Sequence, residues 1–281
     1  MSVTPLEFVA SAVQARQHIR QHIYQTPLIP AKKTGIKHGA RVFFKAENFQ
    51  LTGSFKLRGA MSKMSNHTGN KPLITASSGN HAVPSKRKKI ESFGVEVIIH
   101  GTEAGQAEQH AQKLAASGQS TYFSPYNDAD IVAGQATIGL EILEHGIGSV
   151  LKAFSPRTKG FGVAATNSKS LAASIVADKV IETYHLPTLA EGVTGGIDED
   201  STTFPLASAV VDQVIECNQV EIAAALRSIA HDETMIVEGS DGLALAGFDK
   251  VAHQLGAETS IVLLCGANID GNTIKEVLYG S

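Results

Sequence analysis

Cysteine is scarce in this chain of 281 residues, occurring only at Cys217 and Cys265. Two thiols cannot build a disulfide scaffold, and their rarity suits a reducing cytosol. Charge of either sign is also in short supply: 24 basic and 27 acidic residues leave a net charge of -3. No basic excess marks a nucleic-acid surface, and the one short cluster, 85-SKRKK-89, reads as the solvated start of a helix. Long apolar runs are missing too. No stretch reaches the roughly eighteen consecutive apolar residues that a membrane span requires. The opening segment, MSVTPLEFVASAVQARQHIR, has no apolar core of signal-peptide type and carries an amphipathic helix pattern instead. These absences lead us to expect a soluble, cytoplasmic protein that binds neither nucleic acid nor membrane.

What is present is an ordinary globular composition, 43% hydrophobic and 18% charged, enough for one large domain or two smaller ones. Strand-like runs at 42–47, 72–77, 95–100, 160–165, 210–217 and 261–266 alternate with helical patterns. The helices are expected over 6–23, 103–117, 131–145, 168–178, 219–233 and 240–255. This alternation predicts an α/β fold around mostly parallel sheets, whose ligands bind beyond the carboxyl ends of the strands. Two joins are abrupt. After 76-ASSGNHA-82 a helix and strand should follow, yet the chain goes straight to Val83-Pro84 and the basic cluster. After helix 131–145 comes 146-GIGSVLKAFSP-156, again helix-like, with no strand between.

Three constellations carry chemistry. In 51-LTGSFKLRGA-60, Thr52-Gly53-Ser54 is turn and N-cap material, and Phe55 through Met61 reads as the first turns of a helix. Lys56 then faces the positive end of the helix dipole, which disfavours an ammonium; an immobilised neutral amine is a nucleophile. On these residues alone an exposed helix lysine is an equal reading. In 76-ASSGNHA-82 two hydroxyls, a glycine backbone and an amide form either a nest for a carboxylate or phosphate, or a Ser/Gly-rich turn. The third, 263-LLCGAN-268, is by itself a buried strand ending in a turn, where a cysteine is usually inert.

Taken together, and in this order, the three stretches resemble the pyridoxal-phosphate enzymes of the threonine/serine dehydratase and serine racemase family (fold type II). The similarity extends to 43-FFKAENFQLTGSFKLRGA-60, 134-GQATIGLEILE-144, 187-PTLAEGV-193 and 237-VEGSDGLALAG-247. Within the family it is similar to the dehydratase-like proteins of hydroxyectoine utilisation. The resemblance implies that Lys56 forms the Schiff base with the cofactor and that Phe55 flanks its ring. It implies Asn80 on the ring hydroxyl, and Ser77, Ser78, Gly79 and His81 around the substrate carboxylate. Cys265 falls where the family sets a serine or cysteine against the pyridine nitrogen. A neutral partner there leaves the ring a weaker electron sink than an aspartate would. Glu238 falls near the site in a structural role.

The departures are equally specific. The family's tetraglycine phosphate loop is absent, and only 146-GIGS-149 remains, so Gly146 and Gly148 are the implied phosphate contacts. This loss coincides with the second abrupt join. Removing buried strands is costly, so we expect that native segments are missing at the two joins, between about Ala82 and Val83 and between about His145 and Gly146. The acidic Mg²⁺ site of the racemase branch is replaced by Ala164-Ala165-Thr166-Asn167-Ser168-Lys169, without a carboxylate, so no such metal site is expected.

The resemblance implies two α/β domains, each an open, mostly parallel sheet with flanking helices, with pyridoxal 5'-phosphate in the cleft between them. Residues 1–55 and 145–281 would form the large domain, and 56–144 a small mobile one. The implied reaction is α,β-elimination from a 3-hydroxy amino acid such as L-threonine or L-serine, giving a 2-oxo acid and ammonia. Lys56 is the base, and the assembly is a homodimer. Serine racemisation is the alternative, with Ser78 as a second acid/base opposite Lys56. A non-catalytic amino-acid-binding homologue is the reading if the missing glycine loop is genuine.

Overall fold

The computed structural model describes residues 5–76, 91–92, 94, 96–101, 104–144 and 157–280. From the N-terminus run α1 (Pro5–Ile19), β1 (Leu28–Pro30), β2 (Arg41–Ala46), α2 (Lys56–Asn66) and β3 (Leu73–Ile74). Next come α3 (Ala104–Ala116), β4 (Thr121–Tyr122), α4 (Ala129–Glu144), β5 (Phe161–Ala165) and α5 (Ser170–Ala177). The rest of the chain supplies α6 (Thr203–Val210), β6 (Gln213–Cys217), α7 (Gln219–Asp232), α8 (Gly239–Leu255), β7 (Thr259–Leu264) and α9 (Gly271–Tyr279).

The fold is α/β, with small and mostly parallel sheets. β2 pairs in parallel with β7, from Arg41 opposite Thr259 to Ala46 opposite Leu264. β1 joins the free edge of β2 antiparallel, and it ends on Pro30, which cannot donate to a ladder. β5 and β6 form a second parallel pair, and β3 and β4 a third. One apolar core unites the first two sheets. Val42 and Phe44 of β2, Ile215 and Cys217 of β6, and Val262 and Leu264 of β7 pack with Ile222 and Ile229 of α7 and Leu243, Ala246 and Phe248 of α8. α7 is started by Asn218, whose side chain accepts the Glu221 N–H at 3.0 Å while the Glu221 carboxylate accepts the Asn218 N–H at 2.7 Å.

α2 lies against α4 at very close range. A Cβ on Gly134 would meet the Arg58 carbonyl oxygen at 2.5 Å, so only glycine lets the two helices approach this far.

Most expected elements are present with shifted ends. The strand expected over 95–100 is not: residues 96–100 are irregular, with Ile98 and Ile99 more than half exposed. A strand forms only against a partner, and the β3–β4 pair has no third strand among the described residues. The 210–217 run divides, its start belonging to the end of α6 and only Gln213–Cys217 to β6. Four short elements were not expected, namely β1, β4, α6 and α9. Both abrupt joins, together with the 146–156 segment, lie outside the described residues.

Candidate active site

The carboxyl end of β7 meets the turn before α2, and backbone hydrogen bonds stitch the two together. Phe55 donates its N–H to the Cys265 carbonyl at 3.0 Å, and Ala267 donates to the Gly53 carbonyl at 2.8 Å. Ser54 and Gly266 form an antiparallel bridge, and Asn268 Nδ2 donates to the Gly53 carbonyl at 3.2 Å. Gly53 sits at a φ of 72°, the left-handed conformation that glycine adopts without strain. α2 then begins at Lys56, whose N–H reaches Ser54 Oγ at 3.4 Å. Lys56 is exposed and Phe55 half-buried. Lys56 and Cys265, 209 positions apart by their numbers, are thus brought to one place.

Behind Cys265 stands a carboxylate that the sequence reading did not single out. Asp241, fully buried in the first turn of α8, accepts the backbone N–H of Cys265, that of Gly266 at 3.3 Å and that of Glu238 at 3.2 Å. Glu238 in turn donates its N–H to the Gly266 carbonyl at 2.9 Å and accepts the Asn268 N–H at 3.3 Å. Burial, and then the Glu238 carboxylate, push the Asp241 carboxyl well above its ordinary range, with the three N–H donors opposing. Cys265 keeps part of its surface open, but packing around its sulfur pushes the thiol well up. Asp241 and Glu238 add to the shift, and Lys56 opposes it. The thiol is therefore held neutral.

A second polar assembly lies deeper, beneath α2. Arg58, fully buried, donates to Glu47 through Nε at 2.7 Å and Nη2 at 2.8 Å. It donates to Glu141 through Nη1 at 2.7 Å and Nη2 at 2.8 Å. Lys45, also fully buried, donates to Glu141 at 2.6 Å and to the Thr26 carbonyl at 2.7 Å.

Of the residues singled out from sequence, the structure brings Phe55, Lys56, Cys265 and Glu238 together. Ser77, Ser78, Gly79, Asn80, His81, Gly146 and Gly148 lie outside the described residues. An exposed amine near a thiol kept neutral by its surroundings suits an aldehyde cofactor carrying a pyridine ring. The amine can bond the carbonyl carbon, and the thiol can contact the ring nitrogen without placing a charge there.

Comparison with known proteins agrees. The family described as pyridoxal-phosphate dependent enzyme matches residues 19–83, 82–145 and 144–266, and its match restarts at the two abrupt joins. A putative threonine dehydratase of Sinorhizobium fredii is 30% identical over 96% of this chain and 95% of its own. That alignment runs over 316 positions, whereas 96% of 281 is about 270, so about 46 aligned positions have no residue here. The crystal structure of a T.th. threonine deaminase superposes with a TM-score of 0.84 at 27% identity, covering 93% of this chain and 98% of that one. Maize serine racemase, at 22% identity over 96% of both chains and a TM-score of 0.85, shares the fold. The chain belongs to the pyridoxal-phosphate dependent enzymes, in the threonine/serine dehydratase family, and pyridoxal phosphate is its cofactor.

Proposed function

We propose that the protein is an ammonia-lyase that eliminates water from a 3-hydroxy amino acid, with L-threonine or L-serine as substrate, and releases a 2-oxo acid and ammonia. The observation that carries this reading is the juxtaposition of Lys56 with a neutral Cys265 at the carboxyl end of β7, where α/β sheets bind ligands. Bound there, pyridoxal phosphate supplies an electron sink for the pair left when the substrate α-proton departs. Lys56 would hold the cofactor through its amine, and that amine, when free of the cofactor, would take the substrate α-proton as general base. Phe55 would pack on the ring, and Cys265 would meet the ring nitrogen as a neutral partner. Asp241 and Glu238 hold the 265–268 backbone in place. Asn80 takes the ring hydroxyl, Ser77, Ser78, Gly79 and His81 take the substrate carboxylate, and Gly146 and Gly148 take the phosphate. The β-hydroxyl would take up a proton and leave as water, and the released enamine would tautomerise to an imine that water hydrolyses to the oxo acid and ammonia.

In this reading residues 56–144 form a small domain that closes on substrate against 1–55 and 145–281. The protein works in the cytoplasm, a reading supported by its scarce cysteine, and as a homodimer, which rests on the resemblance alone. Among the described residues, no helix is long and apolar enough to cross a membrane.

The test is chemical. Borohydride treatment of the yellow holoenzyme should fix the pyridoxyl group to Lys56, as located by peptide mapping, and Lys56→Ala should abolish turnover with the fold intact. A label on Lys45 or Lys63 overturns the assignment. Chiral analysis of residual L-serine decides the reaction: depletion without D-serine supports elimination, whereas accumulation of D-serine makes the protein a racemase.

A further inference from the structure

We infer that Arg58 is a positioning residue, setting the rotation and register of α2 and so the place where Lys56 presents its amine. The inference rests on the reading of Lys56 as the cofactor lysine. Every N–H of the Arg58 guanidinium is used: two pairs go to the carboxylates of Glu47 and Glu141, and Nη1 also reaches Thr137 Oγ1 at 3.2 Å. Glu47 directly follows β2, while Glu141 and Thr137 belong to α4, so the fork is held from two directions at once. Lys45, on β2, donates to Glu141, and the cluster contains two cations and two carboxylates with no net charge.

Stability alone does not account for such an assembly. Apolar side chains of equal volume would fill the space without desolvating four ions, and buried ion pairs are weak evidence for stability. What apolar packing lacks is directionality. Two bidentate guanidinium–carboxylate pairs fix a helix face in angle as well as in position. Arg58 follows Lys56 by two residues, about 200° around the helix axis, so the anchored face is nearly opposite the one that carries the exposed amine. A turn or slide of α2 at the anchor would swing the amine away from Cys265. The tight approach at Gly134 closes the other route by which α2 could settle differently.

The experiment compares the wild-type holoenzyme with Arg58→Lys, which keeps a buried cation but loses the fork, and Thr137→Val, which leaves both carboxylate pairs in place but removes the hydroxyl that accepts from Nη1 and donates to the Gly134 carbonyl at 2.7 Å. Four quantities are read: the thermal midpoint, kcat and KM, the absorbance and borohydride labelling of the cofactor–lysine linkage, and the acetylation rate of Lys56 in cofactor-free protein. We expect Arg58→Lys to lower kcat about 100-fold, as a misplacement on the order of 1 Å can do. KM should stay within about threefold, with the linkage absorbance shifted and Lys56 acetylation changed. Thr137→Val should move the same readouts in the same direction by a smaller factor, and it decides the matter if Arg58→Lys does not fold. Variants that lose thermal stability while labelling, absorbance, acetylation and kcat remain wild-type overturn the inference and leave the reading of Lys56 intact. A wild-type label at any other lysine overturns both.

Discussion

At the scale of single residues the site depends on how two acidic side chains treat a thiol. Asp241 and Glu238 bind the backbone around residue 265 and also raise the thiol through their charge, after burial has raised it first. The pair therefore favours a neutral group at position 265. Cys265→Ser preserves that neutrality and size, so kcat should stay within about threefold of wild type, a change too small to signal lost transition-state contact. Cys265→Asp would put a third carboxylate beside Asp241 and Glu238 in a poorly solvated place. We expect a lower thermal midpoint and a shift of product towards racemised or transaminated amino acid, because a charge at the ring nitrogen strengthens the electron sink. An Asp variant with wild-type stability and product ratio would show that residue 265 does not meet the cofactor. Lys56 and Cys265 were legible because each lies in a distinctive motif. Asp241 was overlooked although it stands three residues after Glu238, the spacing of a helix-start capping pair, which was the available signal. The Arg58 cluster was harder to see. Its contact to Glu141 spans 83 positions and that of Lys45 spans 96, and no local pattern joins such distances. Lys45 and Glu47 inside the apolar run 42-VFFKAE-47 were the only hint, since charged residues in a buried strand need partners.

At the scale of elements, long periodic helices were the most readable part. α1 buries Ala12, Ala15 and Ile19, and α7 buries Ile222, Ala225, Leu226 and Ile229, spacings of three and four that follow one helix face. Short strands were less readable, because β3 and β4 are only two residues each and a strand is defined by its partner. Connections between elements hide a further kind of order. Glu233, buried just past α7, accepts the N–H of Lys32 at 2.7 Å, of Lys33 at 3.1 Å and of Thr34 at 2.8 Å, and the Thr34 hydroxyl at 2.7 Å. Burial pushes its carboxyl up, but these four donors outweigh burial and hold it below the ordinary range. A carboxyl depressed in the folded state contributes stability above its unfolded value of about 4.3 and loses it as pH falls through the lower folded value. Glu233→Gln should therefore cost about 1–3 kcal/mol at neutral pH, the range for bonds to a charged buried group. Denaturant titrations should show this difference shrinking as the pH is lowered through about 4 and below. A difference that is independent of pH would mean that Glu233 acts by shape rather than by charge.

At the scale of the whole molecule, the question is whether 281 residues suffice for this fold. The family match restarts at 82–83 and 144–145, and about 46 positions of the alignment with the Sinorhizobium relative have no residue here, taking 316 against 96% of 281. The segment that should form a strand after the first join, 96–100, instead leaves Ile98 and Ile99 exposed, and β3 and β4 pair only with each other among the described residues. Parallel sheets are normally covered on both faces. Removing strands from one leaves backbone groups unpaired, at about 1–3 kcal/mol each when buried, against a total stability of about 5–15 kcal/mol. A handful of such groups would exhaust the margin. The glycine-rich phosphate loop of the family would fall at the second join, and without it only Gly146 and Gly148 remain to meet the phosphate. We therefore expect protein purified from its natural source to be longer than 281 residues by about 46, with the extra residues at the two joins and a glycine-rich run in the second. Intact mass followed by peptide mapping across Ala82–Val83 and His145–Gly146 measures this directly. A mass equal to that of the 281-residue chain would sink the expectation. The phosphate site would then be incomplete, and the protein should bind an amino acid without turning it over.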